Sequence, residues 1–216
     1  MNHTKTIAGI LALGSLWGFA ECIIGSWLRD ANLPAGTIMT AVFAIGLLTL
    51  SKTIFPQRGT QIGMGLVAGT LRLLNPFGGC YICSAIAIMA EGALFELLWT
   101  WVSTDLRQLQ TLSLQCCLGI ITGYIVYVGG YTVTQILTPL LSTAGFDPAN
   151  LLAFTPQILA SGLLPAFIAA ATVPTAIALR RLPLTLKDPV YYPVTAATAA
   201  ASWCLVIANT LILLHP

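Results

Sequence analysis

The cysteines are the side chains with the clearest chemical potential in this sequence. There are six of them: Cys22, Cys80, Cys83, Cys116, Cys117 and Cys204. Cys80 follows Gly78-Gly79 and precedes a long apolar run, so we expect it where a loop enters a helix. A helix N-terminus favours the thiolate, which is the form of cysteine that attacks disulfides and binds metals. Cys83 lies one helical turn later and completes a C-x-x-C pattern.

This pattern leaves three interpretations open. Cys80 and Cys83 could be apolar fillers, as free cysteines often are. They could form a thiol–disulfide exchanger, but passing electrons on commonly takes a second cysteine pair, and the predicted outward loops hold none. Cys80 could instead be a single soft thiolate for a metal-containing ligand. Bare zinc needs about four protein ligands, whereas a metal already held in a macrocycle needs only one axial ligand.

Four ionisable residues lie inside apolar stretches: Glu21, Arg72, Glu91 and Glu96. Such residues are costly in a membrane and usually face the bundle interior or a cavity. We therefore expect these residues to pair with one another between helices, with Glu21 and Arg72 as candidate partners. A ligand site or a coupling role is the less favoured interpretation. Glu91 and Glu96 are separated by about 140° around a helix, which disfavours a paired-carboxylate acid/base site.

The composition identifies the environment in which these residues act. Of 216 residues only 16 are charged, nine basic and seven acidic, whereas 57% are hydrophobic. A soluble domain carries about 25% charged residues, so a soluble enzyme and a disordered chain are excluded. The net charge of +2 offers no basic patch for nucleic acid. The chain also lacks a P-loop motif and an H-E-x-x-H motif.

Continuous apolar runs predict membrane helices and not a barrel, since barrel strands alternate with period two. A spanning helix needs about 17–25 residues. The candidate spans are 6–27, 36–50, 61–74, 81–102, 112–137, 157–179 and 193–214, of which the second and third are short. The sequence therefore predicts one integral membrane domain over residues 1–216, an all-α polytopic helix bundle.

The basic residues predict the orientation, because cytoplasmic loops are enriched in Lys and Arg. An N-terminus in the cytoplasm places seven of them on the cytoplasmic side, namely Lys5, Lys52, Arg58, Arg107, Arg180, Arg181 and Lys187. Only Arg29 then lies outside, and Arg72 lies at the outer end of the third span. The outward loops become 28–35, 75–80 and 138–156, and the second of them holds Cys80.

Three stretches resemble a known family: Ser15-Leu16-Trp17-Gly18-Phe19-Ala20-Glu21, Asn75-Pro76-Phe77-Gly78-Gly79-Cys80 and residues 85–92. Together they resemble the S components of energy-coupling-factor vitamin transporters, and more closely the solitary BtuM-type cobalamin transporters of Gram-negative bacteria. The resemblance covers about residues 6–180. It implies an S-component-like core of six transmembrane helices in the bacterial inner membrane. The sequence has seven candidate spans, so either 193–214 is an additional span or one of the short spans does not cross the membrane.

The resemblance also implies the site. Cys80 matches the family's axial ligand to the cobalt of cobalamin, in a pocket that opens outward. From their positions near the pocket mouth, Trp27, Phe77, Tyr81 and Phe146 are expected to pack the corrin, and Asn75 to bond its amides. No prosthetic group is expected, because the cobalt corrinoid is the transported ligand. The expected partners are cobalamin and the lipid bilayer; a solitary member need not have a coupling ATPase, and a periplasmic binding protein or a coupling subunit stays open as a further partner.

The sequence thus predicts cobalamin uptake across the inner membrane. Because a thiolate weakens the bond opposite it, decyanation of cyanocobalamin by Cys80 is a candidate side activity. Two alternatives stay open at this point: a membrane thiol–disulfide oxidoreductase that uses Cys80 and Cys83, and an S component for another vitamin that works with a coupling ATPase.

Overall fold

The computed structural model describes residues 3–77, 80–102, 109, 111–141, 147–179 and 188–214. Every regular element in these ranges is a helix, which confirms the all-α prediction. We number the helices along the chain as α1 (His3–Asp30), α2 (Ala35–Ile54), α3 (Thr60–Leu73), α4 (Tyr81–Val102), α5 (Leu112–Leu141), α6 (Pro148–Leu179) and α7 (Asp188–Leu214).

The outer surface of the bundle is apolar. Within the described residues, all helices except α3 are long and apolar enough to cross a membrane. Large hydrophobic side chains such as Leu97 and Phe167 are 56% and 67% exposed. A soluble protein would bury many of these side chains, whereas hydrocarbon tails accept them without cost. The chain is therefore a multi-pass helical membrane protein, as the composition predicted.

Helix α3 is the short member of the bundle. Its 14 residues cover about 21 Å, less than the roughly 30 Å of a bilayer core. It corresponds to the predicted span 61–74, whereas the C-terminal stretch 193–214 falls within the long helix α7. Gly65 and Gly69 let α3 approach α4 closely: a Cβ on Gly65 would lie 3.2 Å from the Cα of Gly92.

Contacts between helix ends show that successive helices run in alternating directions. At one end, which we call the amino-terminal end, the Tyr191 hydroxyl of α7 donates to the Lys5 carbonyl of α1 at 2.9 Å. At the other end, which we call the pocket end, Arg72 of α3 donates to Ser84 of α4. Arg29 lies at the pocket end, where α1 terminates. Four other basic residues that predict the orientation lie outside the described residues, namely Arg107, Arg180, Arg181 and Lys187.

The predicted breaks between helices have the expected local chemistry. Asn32 adopts a left-handed backbone with φ of 56° between α1 and α2, and Gly59 does so with φ of 85° before α3. Asp147 caps α6 by accepting a hydrogen bond from the Ala149 amide at 2.9 Å, and Pro148 takes the first helical position. The turns at Asn32 and Asp147 lie at the pocket end, whereas the turn at Gly59 lies at the amino-terminal end.

A buried ion pair joins α2 to α4 near the amino-terminal end. Lys52 Nζ lies 3.0 Å from Glu96 Oε1, and both residues are 6% exposed. The backbone N–H of Gln61 donates to the other oxygen of Glu96 at 3.1 Å. The sequence predicts Lys52 on the cytoplasmic side; in the structure it lies in the last turn of α2 and pairs with Glu96 inside the bundle.

Candidate functional site

A cavity of about 390 Å³ opens at the pocket end between α1, α2, α4 and α5. This volume is within the range of small-molecule sites. Two widened π-helical turns border it: Ala20–Ile24 in α1 supplies Glu21, and Met39–Ala44 in α2 supplies Met39 and Thr40. Such turns occur frequently at functional sites because they redirect side chains out of the regular helical register.

Glu91 lies deep in this cavity and is only 7% exposed. Its Oε1 accepts a hydrogen bond from the Thr40 hydroxyl at 2.8 Å. Its Oε2 is buried and has no hydrogen-bond partner among the described residues. Gly130 of α5 leaves the space that the carboxyl occupies, because a Cβ there would lie 2.9 Å from Oε1. One oxygen of the Glu91 carboxyl is thus hydrogen-bonded to Thr40, and the other has no partner among the described residues.

The remaining walls carry charge and aromatic rings. Glu21 accepts a hydrogen bond from the Trp17 indole at 3.2 Å. Arg29, at the exposed rim, donates to Ser26 at 2.9 Å and keeps further N–H donors for a ligand. Tyr127 and Tyr131 line the α5 side, with ring centroids 6.1 Å apart and planes inclined at 61°. The cavity therefore combines both signs of charge with two tyrosine rings packed edge to face.

Cys80 stands at the N-cap of α4. Its carbonyl accepts the first helical hydrogen bond, from Ser84 N at 3.0 Å, and its Sγ accepts from Cys83 N at 3.3 Å. An N–H donor and the helix dipole at this position both favour the thiolate of the reduced form. In the structure Cys80 is joined to Cys83 by a disulfide. Ligand binding by Cys80 therefore requires the reduced dithiol.

One face of α4 connects Cys80 to the floor of the cavity. Glu91 lies eleven positions after Cys80, which is about 16 Å of rise and within about 20° of three full turns. Ser84, Ala87 and Glu91 on this face all line the cavity. We call Cys80, Ser84, Ala87 and Glu91 the α4 stripe. The 4-3-4 spacing of these four residues is present in the sequence and is the signal that links Glu91 to Cys80.

Arg72 and Asn75 hold the segment that leads to Cys80. Arg72 is 1% exposed and donates to the carbonyls of Asn75 and Phe77, at 2.5 and 2.9 Å. It also donates to Ser84 on the first turn of α4 at 3.3 Å. The hydrogen bonds of Arg72 thus go to the backbone before Cys80 and to α4, while the suggested partner Glu21 is held by Trp17.

The residues expected to contact the ligand differ in how far they are buried, and those that the structure describes lie outside the cavity lining. Phe77 and Tyr81 are partly buried beside Cys80, and Trp27 is 65% exposed on α1. Asn75 is 1% exposed; its amide donates to the Cys22 carbonyl at 3.3 Å and accepts from Phe77 N at 3.3 Å. None of these four lines the cavity. Phe146 lies outside the described residues.

No family model, curated protein or solved structure matches this chain. Cys80 and the cavity below it are therefore the features of the chain that indicate a function.

Proposed function

We propose that this protein takes up cobalamin across the bacterial inner membrane, with the reduced Cys80 as an axial ligand to the cobalt. The observation that carries the proposal is the placement of Cys80. Cys80, at a helix N-cap, heads a stripe that leads into a polar cavity, inside a bundle whose outer surface is apolar. With the N-terminus in the cytoplasm, as the basic residues predict, the pocket end faces outward and receives the vitamin.

The chemistry of the cobalt suits a single protein ligand. The corrin ring supplies four equatorial nitrogens, so only two axial positions remain. A thiolate is a soft donor and suits a transition metal. On binding, the Cys80 sulfur takes one axial position and the dimethylbenzimidazole base leaves it. A thiol reductant must first cleave the Cys80–Cys83 disulfide, which consumes two electrons and two protons and leaves two thiols.

The corrin ring is placed at the mouth of the cavity, over Cys80. A cavity of about 390 Å³ suits one part of the vitamin better than the whole macrocycle with its amide side chains. Phe77 and Tyr81 flank Cys80 there and offer apolar surface to the ring. Trp27 is exposed at the end of α1 and can pack against its edge. The polar groups of Asn75 are used within the protein, where they position this surface.

Uptake is tested in bacterial cells that lack their own inner-membrane corrinoid importer and any energy-coupling-factor ATPase. Cells that express this chain are expected to accumulate cobalt-labelled cyanocobalamin well above cells with an empty vector. The comparison reports transport without a coupling ATPase, as expected of a solitary transporter. Accumulation that appears only when a coupling ATPase is added would favour the S component of a coupled transporter. No accumulation in either strain would contradict cobalamin uptake.

Cyanide release is expected when cyanocobalamin binds. The Cys80 thiolate donates strongly to cobalt and weakens the opposite Co–CN bond. Cyanide then leaves with its bonding electron pair, and water takes the free position without a change in oxidation state. Incubating the reduced protein with cyanocobalamin and trapping free cyanide measures this step. Wild type is expected to release up to one cyanide per protein and Cys80→Ser none; equal release from both would exclude a role for the thiolate.

A thiol–disulfide oxidoreductase is the second candidate, and the Cys80–Cys83 disulfide favours it. The other four cysteines are Cys22, Cys116, Cys117 and Cys204, all of them free. Cys116 and Cys117 lie in the first turns of α5, towards the amino-terminal end and away from the disulfide. An oxidoreductase would need both Cys80 and Cys83, whereas a corrinoid site needs Cys80 alone.

A further inference from the structure

The α4 stripe ends on a group that the proposed cobalt ligation does not use. Glu91 is deeply buried, one of its oxygens is held by Thr40, and the other has no partner among the described residues. An unpaired buried polar atom costs free energy, so its presence in a cavity points to a ligand that completes it. The cavity is also separate from the place where the corrin ring would lie.

We infer that this cavity binds the nucleotide arm of cobalamin, the phosphodiester, ribose and dimethylbenzimidazole that Cys80 displaces from the cobalt. The inference rests on the proposed function and extends it from one metal ligand to a second subsite. It also gives the cavity a role, because a space of about 390 Å³ is within the range of small-molecule sites and suits one arm of the vitamin.

The order of side chains from rim to floor matches the order of groups along the arm. Arg29 lies at the exposed rim, where the phosphodiester would follow the corrin edge. A guanidinium pairs well with phosphate oxygens. Arg29 donates one hydrogen bond to Ser26, and its other N–H groups can bind the phosphate. Tyr127 and Tyr131 line the α5 wall with an exposure between those of Arg29 and Glu91, and a tyrosine face can stack on a flat aromatic base.

At the floor, the unpaired oxygen of Glu91 meets the base. Once displaced from cobalt, the benzimidazole has a free ring nitrogen. This nitrogen and Glu91 Oε2 can share one proton, carried by either partner, and form one buried hydrogen bond. Because helical side chains tilt toward the helix N-terminus, the Glu91 carboxyl points back along α4 toward Cys80. The arm therefore enters from the Cys80 side and meets the carboxyl directly.

The test compares cyanocobalamin with cobinamide, a corrinoid that lacks the nucleotide arm, by titration of the purified, reduced protein. Both should show the spectral change of thiolate ligation. Wild type is expected to bind cyanocobalamin at least about tenfold more tightly than cobinamide, the size expected for a buried hydrogen bond to a charged group. Glu91→Leu should remove most of this preference and leave the affinity for cobinamide unchanged.

Two further variants guard against a folding defect. Arg29→Ala removes only a rim side chain and should weaken cyanocobalamin binding without affecting cobinamide. Thr132→Val is the control, because Thr132 lies outside the cavity and its hydroxyl donates within α5 to the Val128 carbonyl at 2.7 Å. It should keep the wild-type preference, and retained cobinamide binding shows that each variant is folded.

The outcomes separate the two claims. Equal affinities of wild type for both corrinoids, with thiolate spectra, would overturn the nucleotide-arm site and leave cobalamin ligation standing. A wild-type preference that survives in Glu91→Leu and in Arg29→Ala would place the arm elsewhere and overturn it as well. If reduced wild type binds neither corrinoid, the proposed function itself fails.

Discussion

Replacing Cys80 with serine is expected to lower the affinity of the purified protein for cyanocobalamin by about 100-fold or more. The substitution removes the coordinate bond to cobalt, and a serine hydroxyl is a hard, weak substitute for a thiolate. A 100-fold loss corresponds to about 2.7 kcal/mol. Titration followed by visible absorption measures both the affinity and the change in the corrin spectrum that accompanies ligation.

Cys83→Ser is the matched control, because it removes the disulfide and keeps Cys80. This variant should bind cyanocobalamin with or without a reductant, whereas wild type should bind only after reduction. An oxidoreductase would lose its activity in both variants. Cyanocobalamin binding that is abolished equally by Cys80→Ser and Cys83→Ser, or retained by Cys80→Ser, would contradict the ligand role of Cys80.

Replacing Lys52 with methionine is expected to destabilise the bundle by about 3–5 kcal/mol. The ammonium group lies 3.0 Å from Glu96 inside the bundle, so its removal leaves a buried carboxylate without its cation. Thermal unfolding of the detergent-solubilised protein, followed by tryptophan fluorescence, measures the loss. Arg58→Met is the control, since Arg58 is an exposed basic residue near the same end of the bundle and its replacement should have little effect.

The double variant Lys52→Met/Glu96→Leu tests the cause. It removes both charges and should recover most of the lost stability, because an apolar pair can replace a buried ion pair at little cost. The Gln61 amide, in the orientation that satisfies its neighbours, donates to Glu96 at 2.5 Å, so some destabilisation should remain. A double variant that is less stable than Lys52→Met alone would show that the ion pair is not the source of the effect.

The helices were largely predictable because bilayer thickness and apolar content constrain them strongly. The predicted spans 81–102 and 61–74 correspond to α4 and α3 within one residue at each end. The predicted span 36–50 is extended to Ile54 because Lys52 continues α2 and is buried by Glu96. A single sequence shows a charge at a helix end, but it does not show whether a partner on another helix removes that charge from water.

The site was predictable only in part. The Gly-Gly-Cys pattern placed Cys80 at the start of a helix, where the structure has it. The spacing of Glu91 from Cys80 indicates that both lie on one face of the helix. The role of Thr40 is not visible in the sequence, because it depends on packing between residues 51 positions apart. Asn75 was expected to face a ligand; in the structure its amide bonds to Cys22, a contact that only the approach of α1 to the loop creates.

Cobalt K-edge X-ray absorption of the protein–cyanocobalamin complex is the most direct test of the central claim. We predict a sulfur neighbour at bonding distance from cobalt in reduced wild type and in Cys83→Ser, and its absence in Cys80→Ser. A cobalt surrounded only by carbon, nitrogen and oxygen in the wild-type complex would show that Cys80 is not its ligand.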